Sequence, residues 1–273
     1  MDTAYQLLIL DHRSAIFQPD NAKVTLMQLS LGSPYLPRAF CLMMLAGVLA
    51  GSQFSLADEP AAKKPAAAKS ADKTEVKWQS LFDGKTMDGW KPTEFGTGGE
   101  ILVEKGQMVI SFGDGCTGVT WQKDFPKVDY EVRLEAQRVD GTDFFCGMTF
   151  PVQDSPCSFI VGGWGGGVVG LSSIDGEDAA RNKTTQYMEF KKGQWYKIRL
   201  RVTKTRISAW IDEKQVIDQE TTGHKLTIRP EVEKSRPFGI CSWSTTAALR
   251  KIELRKLTAE EALPVKSEEA PKN

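Results

Sequence analysis

The chain has 273 residues, with 35 basic and 35 acidic side chains and no net charge. That balance leaves no basic excess to neutralise phosphates, so a nucleic-acid partner is not expected. A hydrophobic share of 41% with 24 glycines fits a turn-rich globular protein rather than a disordered or fibrous one. Residues Met1 to about Leu26 carry Asp2, Asp11 and Asp20 and precede Met27, a pattern expected of an over-extended start with Met27 as the first residue. Phe40–Leu49 is an uncharged apolar run preceded by Arg38 and followed by Ser55-Leu56-Ala57. A basic flank, a short apolar run and small residues at −3 and −1 describe a secretory signal peptide, with cleavage after Ala57. The run is too short to span a bilayer, so the mature chain is expected to lack a membrane span and to reside in the periplasm or outside the cell. The alternative is a buried helix opening a cytosolic domain. Residues 58–77 are rich in Ala, Lys and Pro and read as a solvated linker.

The domain is expected over Trp78–Leu257, with Thr258–Asn273 as a frayed acidic tail. Its periodicity is two. Tyr130–Gln137 and Trp195–Val202 alternate apolar and charged residues, the pattern of half-buried antiparallel strands. Leu249–Leu257 does the same, with a slip between Leu249 and Ile252 that predicts a bulge. Arg206–Trp210 and Gln215–Asp218 flank Asp212-Glu213-Lys214 as a hairpin. Further strands are expected at Ile101–Val103, Met108–Phe112, Val119–Trp121, Phe144–Phe150, Ser158–Val161, Val168–Ser172 and Gly239–Trp243. Many short strands separated by Gly, Asp and Pro predict an all-β protein, a two-sheet antiparallel β-sandwich or jelly roll.

The segment Ser80-Leu81-Phe82-Asp83-Gly84-Lys85-Thr86-Met87-Asp88-Gly89-Trp90 holds two Asp-Gly turns and ends in a Trp. It reads as a short opening strand, a folded-back loop and a buried aromatic anchor. It also resembles the opening motif of the 3-keto-disaccharide hydrolase family, roughly Leu-Phe-Asp-Gly-Lys-x-Leu-x-Gly-Trp. Trp210-Ile211-Asp212-Glu213-Lys214-Gln215-Val216 is similar to that family's Trp-Leu-Asn-Gly-x-x-Val hairpin. Cys146-Gly147-Met148 sits where the family has Ser-Gly-Ile. Phe238-Gly239-Ile240 and Leu249–Arg255 are similar to its closing strand pair. The resemblance implies a concanavalin-like jelly roll and cleavage of glycosides already oxidised at C3. In that reaction a base removes the C2 proton, the C1 oxygen leaves, and water adds to the enone. The chain departs from the family's polar residues at three places. Pro151 stands for an Arg, Ser158-Phe159-Ile160 for Glu-Tyr-Gln, and Ser242-Trp243-Ser244 for Gln-Asp-His. No family catalytic residue is therefore carried over.

The most unusual local sequence is the glycine run Val161–Gly170. It contains a formal GxGxxG at Gly165, Gly167 and Gly170, but no helix follows, which argues against dinucleotide binding. The run is either a tight hairpin or a low wall on which Trp164 stacks against a sugar ring. Trp243 and Arg181 are the other expected binding residues. Asp143, Asp175 and Glu177 are the candidate acids and bases; the alternative is solvated turn carboxylates, or oxygen ligands for calcium. His224 reads as a surface-loop residue. The chain has two histidines, His12 and His224, which excludes a His-rich metal site; no metal or cofactor is expected. Cys146 and Cys157 flank the turn Pro151–Pro156 and are expected opposite each other, as a disulfide or as neighbouring thiols. The expected ligand is an oligosaccharide or keto-sugar. Two functions remain open at this point: an exported hydrolase of 3-keto-glycosides, and a non-catalytic sugar-binding module on the same fold.

Overall fold

The computed structural model describes residues 77–263. The start-site reading, the signal peptide, the linker up to residue 76 and the tail from residue 264 lie outside the described residues. Fifteen strands and one 3-10 helix follow one another among the described residues. The strands are β1 (Gln79–Ser80), β2 (Trp90–Pro92), β3 (Ile101–Glu104), β4 (Gln107–Ile110), β5 (Cys116–Trp121), β6 (Tyr130–Gly141), β7 (Cys146–Val152) and β8 (Ser155–Gly163). They continue as β9 (Val168–Ser172), β10 (Gln186–Tyr187), β11 (Trp195–Val202), β12 (Arg206–Ile211), β13 (Lys214–Glu220), β14 (Gly239–Trp243) and β15 (Thr245–Lys256). The 3-10 helix is Pro230–Ser235.

The strands form two antiparallel sheets packed as a sandwich. The first runs β13-β12-β11-β6-β15-β4-β3, with β1 pairing on β15; the second runs β10-β9-β8-β7-β14-β5-β2. The alternation in the sequence explains which side chains meet between them. Val132, Leu134 and Ala136 of β6 and Ile198 and Leu200 of β11 face inward from the first sheet. Met148 and Phe150 of β7 and Phe159 and Val161 of β8 face them from the second. Each such large side chain taken out of water contributes about 1.5–3 kcal/mol. The slip read between Leu249 and Ile252 is a bulge: the β15–β6 register shifts between Arg250 and Glu253, and Lys251 has φ +53°.

The opening motif folds as its residues imply. Asp83 Oδ1 accepts the N–H groups of Lys85 and Thr86, both at 2.8 Å, and closes the first turn. Trp90 is buried edge-on to Trp121, and its indole N–H donates to the Leu81 carbonyl at 2.7 Å.

Two expectations are corrected. The β7–β8 hairpin turns about Gln153-Asp154, so Cys146 lies opposite Val161 and Cys157 opposite Phe150. The two cysteines are thus offset by four residues, about 13 Å along the strand. Both are free, buried thiols. The start of the tail is also tied down: Glu261 pairs with Arg255 at 2.7 Å and accepts the N–H of Thr258. Residues 258–263 therefore form a docked turn.

The outer face of the first sheet is occupied by its own charges. Glu131 is 2% exposed and accepts hydrogen bonds from Arg199, Arg201 and Arg255. Arg133, Arg199 and Arg250 stack on Trp78, Trp210 and Trp195 at 4.0, 3.7 and 4.0 Å. No described helix is long and apolar enough to cross a membrane.

Candidate functional site

The outer face of the second sheet carries the site. Strand alternation turns Ser158 and Ile160 of β8 away from the core, along with Ser172 of β9, Cys116 of β5, and Cys241 and Trp243 of β14. Val232 of the 3-10 helix and Ala179 of the β9–β10 loop pack over part of this face, against Cys116, Phe144, Ile160, Val168 and Cys241. What remains open is a pocket of about 250 Å³. Its floor is Cys116, Phe144, Ser158, Ile160 and Ser172. Trp164 and Trp243 stand at its sides, and Asp143, Arg229 and Glu231 supply charge.

Trp164 sits in the turn between β8 and β9 with φ +48° and is 43% exposed. Trp243 ends β14, is 37% exposed, and lies 6.5 Å from the Phe144 ring. Asp143 is engaged at both oxygens: Oδ1 accepts the Phe144 N–H at 2.7 Å and Oδ2 the Gly165 N–H at 3.2 Å. Its own N–H donates to Thr245 Oγ1 at 3.0 Å. The aspartate therefore braces the turn that carries Trp164.

Arg229 and Glu231 come from the segment entering the 3-10 helix. Arg229 donates to Glu231 at 2.7 Å and to Asp178 at 3.3 Å. The hydrogen bond from Arg229 holds the Glu231 carboxyl below its ordinary value, and the same bond raises the guanidinium. Both groups are charged at neutral pH. The sequence reading did not single them out. The local pattern Arg229-Pro230-Glu231-Val232-Glu233, Pro at a helix start with two acids in the first turn, marks a short helix and not a pocket.

Three of the expected site residues, Asp143, Trp164 and Trp243, line this one pocket. Asp175 and Glu177 do not. Asp175, at φ +53°, turns its carboxylate to His224 Nδ1 at 2.6 Å and to the Lys225 N–H at 2.8 Å. The hydrogen bond with His224 is the main cause of its lowered pKa. His224 is thus the partner of Asp175, with Lys183 Nζ 3.2 Å from its Nε2. Glu177 is exposed, and its backbone closes a tight turn with Ile174. Asp175 spends its polar groups on His224 and Lys225, and neither acid lines the pocket. Arg181 lines a neighbouring shallow depression with Ser173, Asp178 and Thr227; Arg229 and Glu231 form the ridge shared with the main pocket. No group of three or more His, Cys, Asp or Glu side chains suited to a metal occurs among the described residues.

The profile of the 3-keto-α-glucoside-1,2-lyase-like domain family matches residues 77–255. The chain belongs to this family. Solved structures of similar fold include a carbohydrate-binding module from Bacillus subtilis, at 14% identity over 62% of this chain and 96% of that one, TM-score 0.43. The Crh5 transglycosylase in complex with NAG is 13% identical over 66% and 84%, TM-score 0.48. A Bacillus subtilis protein of unknown function with a galectin-like fold is 9% identical over 62% and 90%, TM-score 0.46. No curated relative matches the sequence.

Proposed function

We propose that the pocket binds one ring of a 3-keto-glycoside and cleaves its glycosidic bond by elimination. The observation that carries this reading is a single pocket that joins two exposed tryptophans with the Arg229–Glu231 pair and Asp143. The tryptophan rings suit the C–H faces of a pyranose. Glu231 is the proton acceptor. One of its oxygens is held by Arg229 and the carboxylate is ionised, whereas both oxygens of Asp143 already accept backbone N–H groups. Glu231 takes the C2 proton, which the C3 ketone acidifies. The electron pair moves onto the ketone oxygen, where the Arg229 guanidinium stabilises the enolate. The enolate collapses, the C1–O bond breaks, and the leaving oxygen takes a proton from water, while the C2 proton passes from Glu231 back to solvent. Water then adds across the C1–C2 double bond.

The test uses methyl 3-keto-α-glucoside. The wild type should release methanol and pass through a transient ultraviolet-absorbing enone, and Glu231→Gln should bind without release. A second reading, sugar binding without turnover, is favoured by one observation. Ser158, Ile160 and Trp243, where the family resemblance places polar groups, line this pocket with an aromatic ring, an alkyl group and one hydroxyl. Binding by the wild type with no methanol released supports that reading; no binding at all overturns both. We propose in addition that the protein is exported, a reading supported by the signal-like segment before Asp58. Mass spectrometry of native protein should find Asp58 at the N-terminus, and a chain retaining Met1 or Met27 would refute export.

A further inference from the structure

We propose that Arg138 is the residue that positions the site: a guanidinium buried behind the pocket clamps the glycine-rich turn and so sets the ring of Trp164. It acts without touching ligand, and the ligand arm of its test rests on the sugar-binding reading above.

The turn needs a clamp. Gly162, Trp164, Gly165 and Gly166 all have positive φ, at +79°, +48°, +84° and +114°. A tryptophan held there is strained, and the glycines lose much conformational freedom on folding. Within the turn itself the backbone bond is Gly166 N–H to the Gly163 carbonyl at 3.1 Å. The remaining order comes from outside. Arg138 Nη2 donates to the carbonyls of Gly162 at 3.1 Å and Gly166 at 2.9 Å, one on each side of Trp164. Its Nε donates to the Asp143 carbonyl at 3.2 Å and its Nη1 to Phe190 at 3.3 Å. Asp143 in turn accepts the Gly165 N–H. The clamp therefore fixes both an aromatic wall and the aspartate that braces it.

The placement costs stability, which points to a role beyond packing. Arg138 is 5% exposed, and its four hydrogen-bond acceptors are all neutral carbonyls. A charge buried without a bonded counter-charge is expensive. Departures of this kind concentrate where geometry serves function. The glycines make room for it. A Cβ on Gly162 would lie 2.5 Å from Arg138 Nη2, and one on Gly166 2.8 Å from the Thr142 carbonyl. Gly162 is thus explained as the space the guanidinium needs to reach the turn, while Gly166 is required by the close approach of the Thr142 carbonyl. Lys cannot replace it, since a single ammonium cannot span four divergent carbonyls as a planar fork does.

The test labels the protein with 5-fluorotryptophan and assigns the Trp164 fluorine signal through Trp164→Phe. In Arg138→Lys and Arg138→Met the Trp164 signal should shift or broaden while those of Trp90 and Trp121 stay in place. Arg138→Lys keeps the charge and the alkyl stem, so it tests the clamp even where Arg138→Met fails to fold. An unmoved Trp164 signal in folded Arg138→Lys overturns the proposal, because a merely stabilising residue would change the melting temperature and leave that ring where it was. Titration with methyl 3-keto-α-glucoside supplies the second arm. Arg138→Lys should weaken binding about fivefold or more in the wild-type background and less than about twofold once Trp164 is Ala, the non-additivity of one residue acting through another. Equal losses in both backgrounds overturn it. If the wild type binds no sugar, the sugar reading falls while the fluorine arm still decides the clamp.

Discussion

Trp164→Ala separates a ligand-facing tryptophan from a packed one. The ring is 43% exposed. An aromatic of this size presents up to about 250 Å², so roughly 100 Å² is open to a ligand. At about 25 cal/mol per Å², covering all of it would contribute about 2.5 kcal/mol. A sugar covers chiefly one face of the ring, so the expected loss on truncation is about 1–2.5 kcal/mol, an affinity lower by about 5- to 70-fold. Stability should hardly change. The flanking residues Gly163 and Gly165 carry no side chains that the ring supports, and Ala bears the same positive φ that Trp does. The expected loss is below about 1 kcal/mol, the usual range for an exposed position. Titration calorimetry with methyl 3-keto-α-glucoside and urea unfolding on the same preparation measure both quantities. A stability loss of about 3 kcal/mol or more, typical of a buried Trp→Ala change, with unaltered affinity would refute the reasoning.

Three further outcomes follow from the rest of the molecule. Glu131→Gln removes the one buried carboxylate shared by Arg199, Arg201 and Arg255 and should cost about 3–5 kcal/mol in urea unfolding; a loss under about 1 kcal/mol would mean that the network is solvated. The Cys146 and Cys157 thiols should resist alkylation in native protein, since burial pushes Cys157 up to about 12 and raises Cys146 as well; a disulfide-linked peptide joining the two would contradict the hairpin register. The hydrogen bond from Arg255 is the main reason Glu261 is lowered from 4.5 to about 2. A depressed folded-state value means that its stabilisation is complete above about 4.5 and is lost as pH falls toward 2, so Glu261→Gln should flatten the acid limb of stability in that window; an unchanged acid limb would discount the docked turn.

Period-two alternation made most of the fold legible. β9, β11 and β14 have the bounds their apolar patterning implies, and the bulge near Ile252 was visible as a break in that alternation. The Cys146–Cys157 pairing failed because those two residues are equidistant from the Pro151–Val152 bond, whereas the hairpin turns about Gln153-Asp154, the centre of Pro151–Pro156. Asp143, Trp164 and Trp243 could be found because each lies at or just beyond the end of a strand of the second sheet. Arg229 and Glu231 could not: their segment crosses back over that sheet after β13, and only tertiary packing delivers them. Asp175 and Glu177 mislead for the opposite reason. They are close to Trp164 in sequence, but a short turn directs Asp175 to His224 and Lys225 and leaves Glu177 exposed away from the pocket. Arg138 had a signal that local reading passed over. Tyr130, Val132, Leu134 and Ala136 set the inward parity of β6, and position 138 continues it with a charge.

The pocket changes character where the chain departs from its family. Ser158, Ile160 and Trp243 occupy strand positions that the resemblance assigns to larger polar groups, and they give a floor of small and apolar surface bounded by an exposed ring. A strand position sets direction but not chemistry, so loss of a polar side chain there leaves the cavity open while moving its charge elsewhere. The charge enters from the opposite wall, through Arg229 and Glu231 on the segment that packs Val232 against this face. That wall lies outside the sheet; Arg229 pairs with Asp178, and the 3-10 helix is tied down by Thr120 Oγ1 donating to the Lys234 carbonyl and by Lys234 Nζ donating to the Glu94 carbonyl. The aromatic wall, in contrast, is fixed to the sheet from behind by Arg138 and Asp143. The site therefore pairs a stacking surface fixed to the sheet with a charged edge carried by a segment that packs over it. Sugar affinity should depend mainly on the first, and any proton transfer on how closely the second approaches the bound ring.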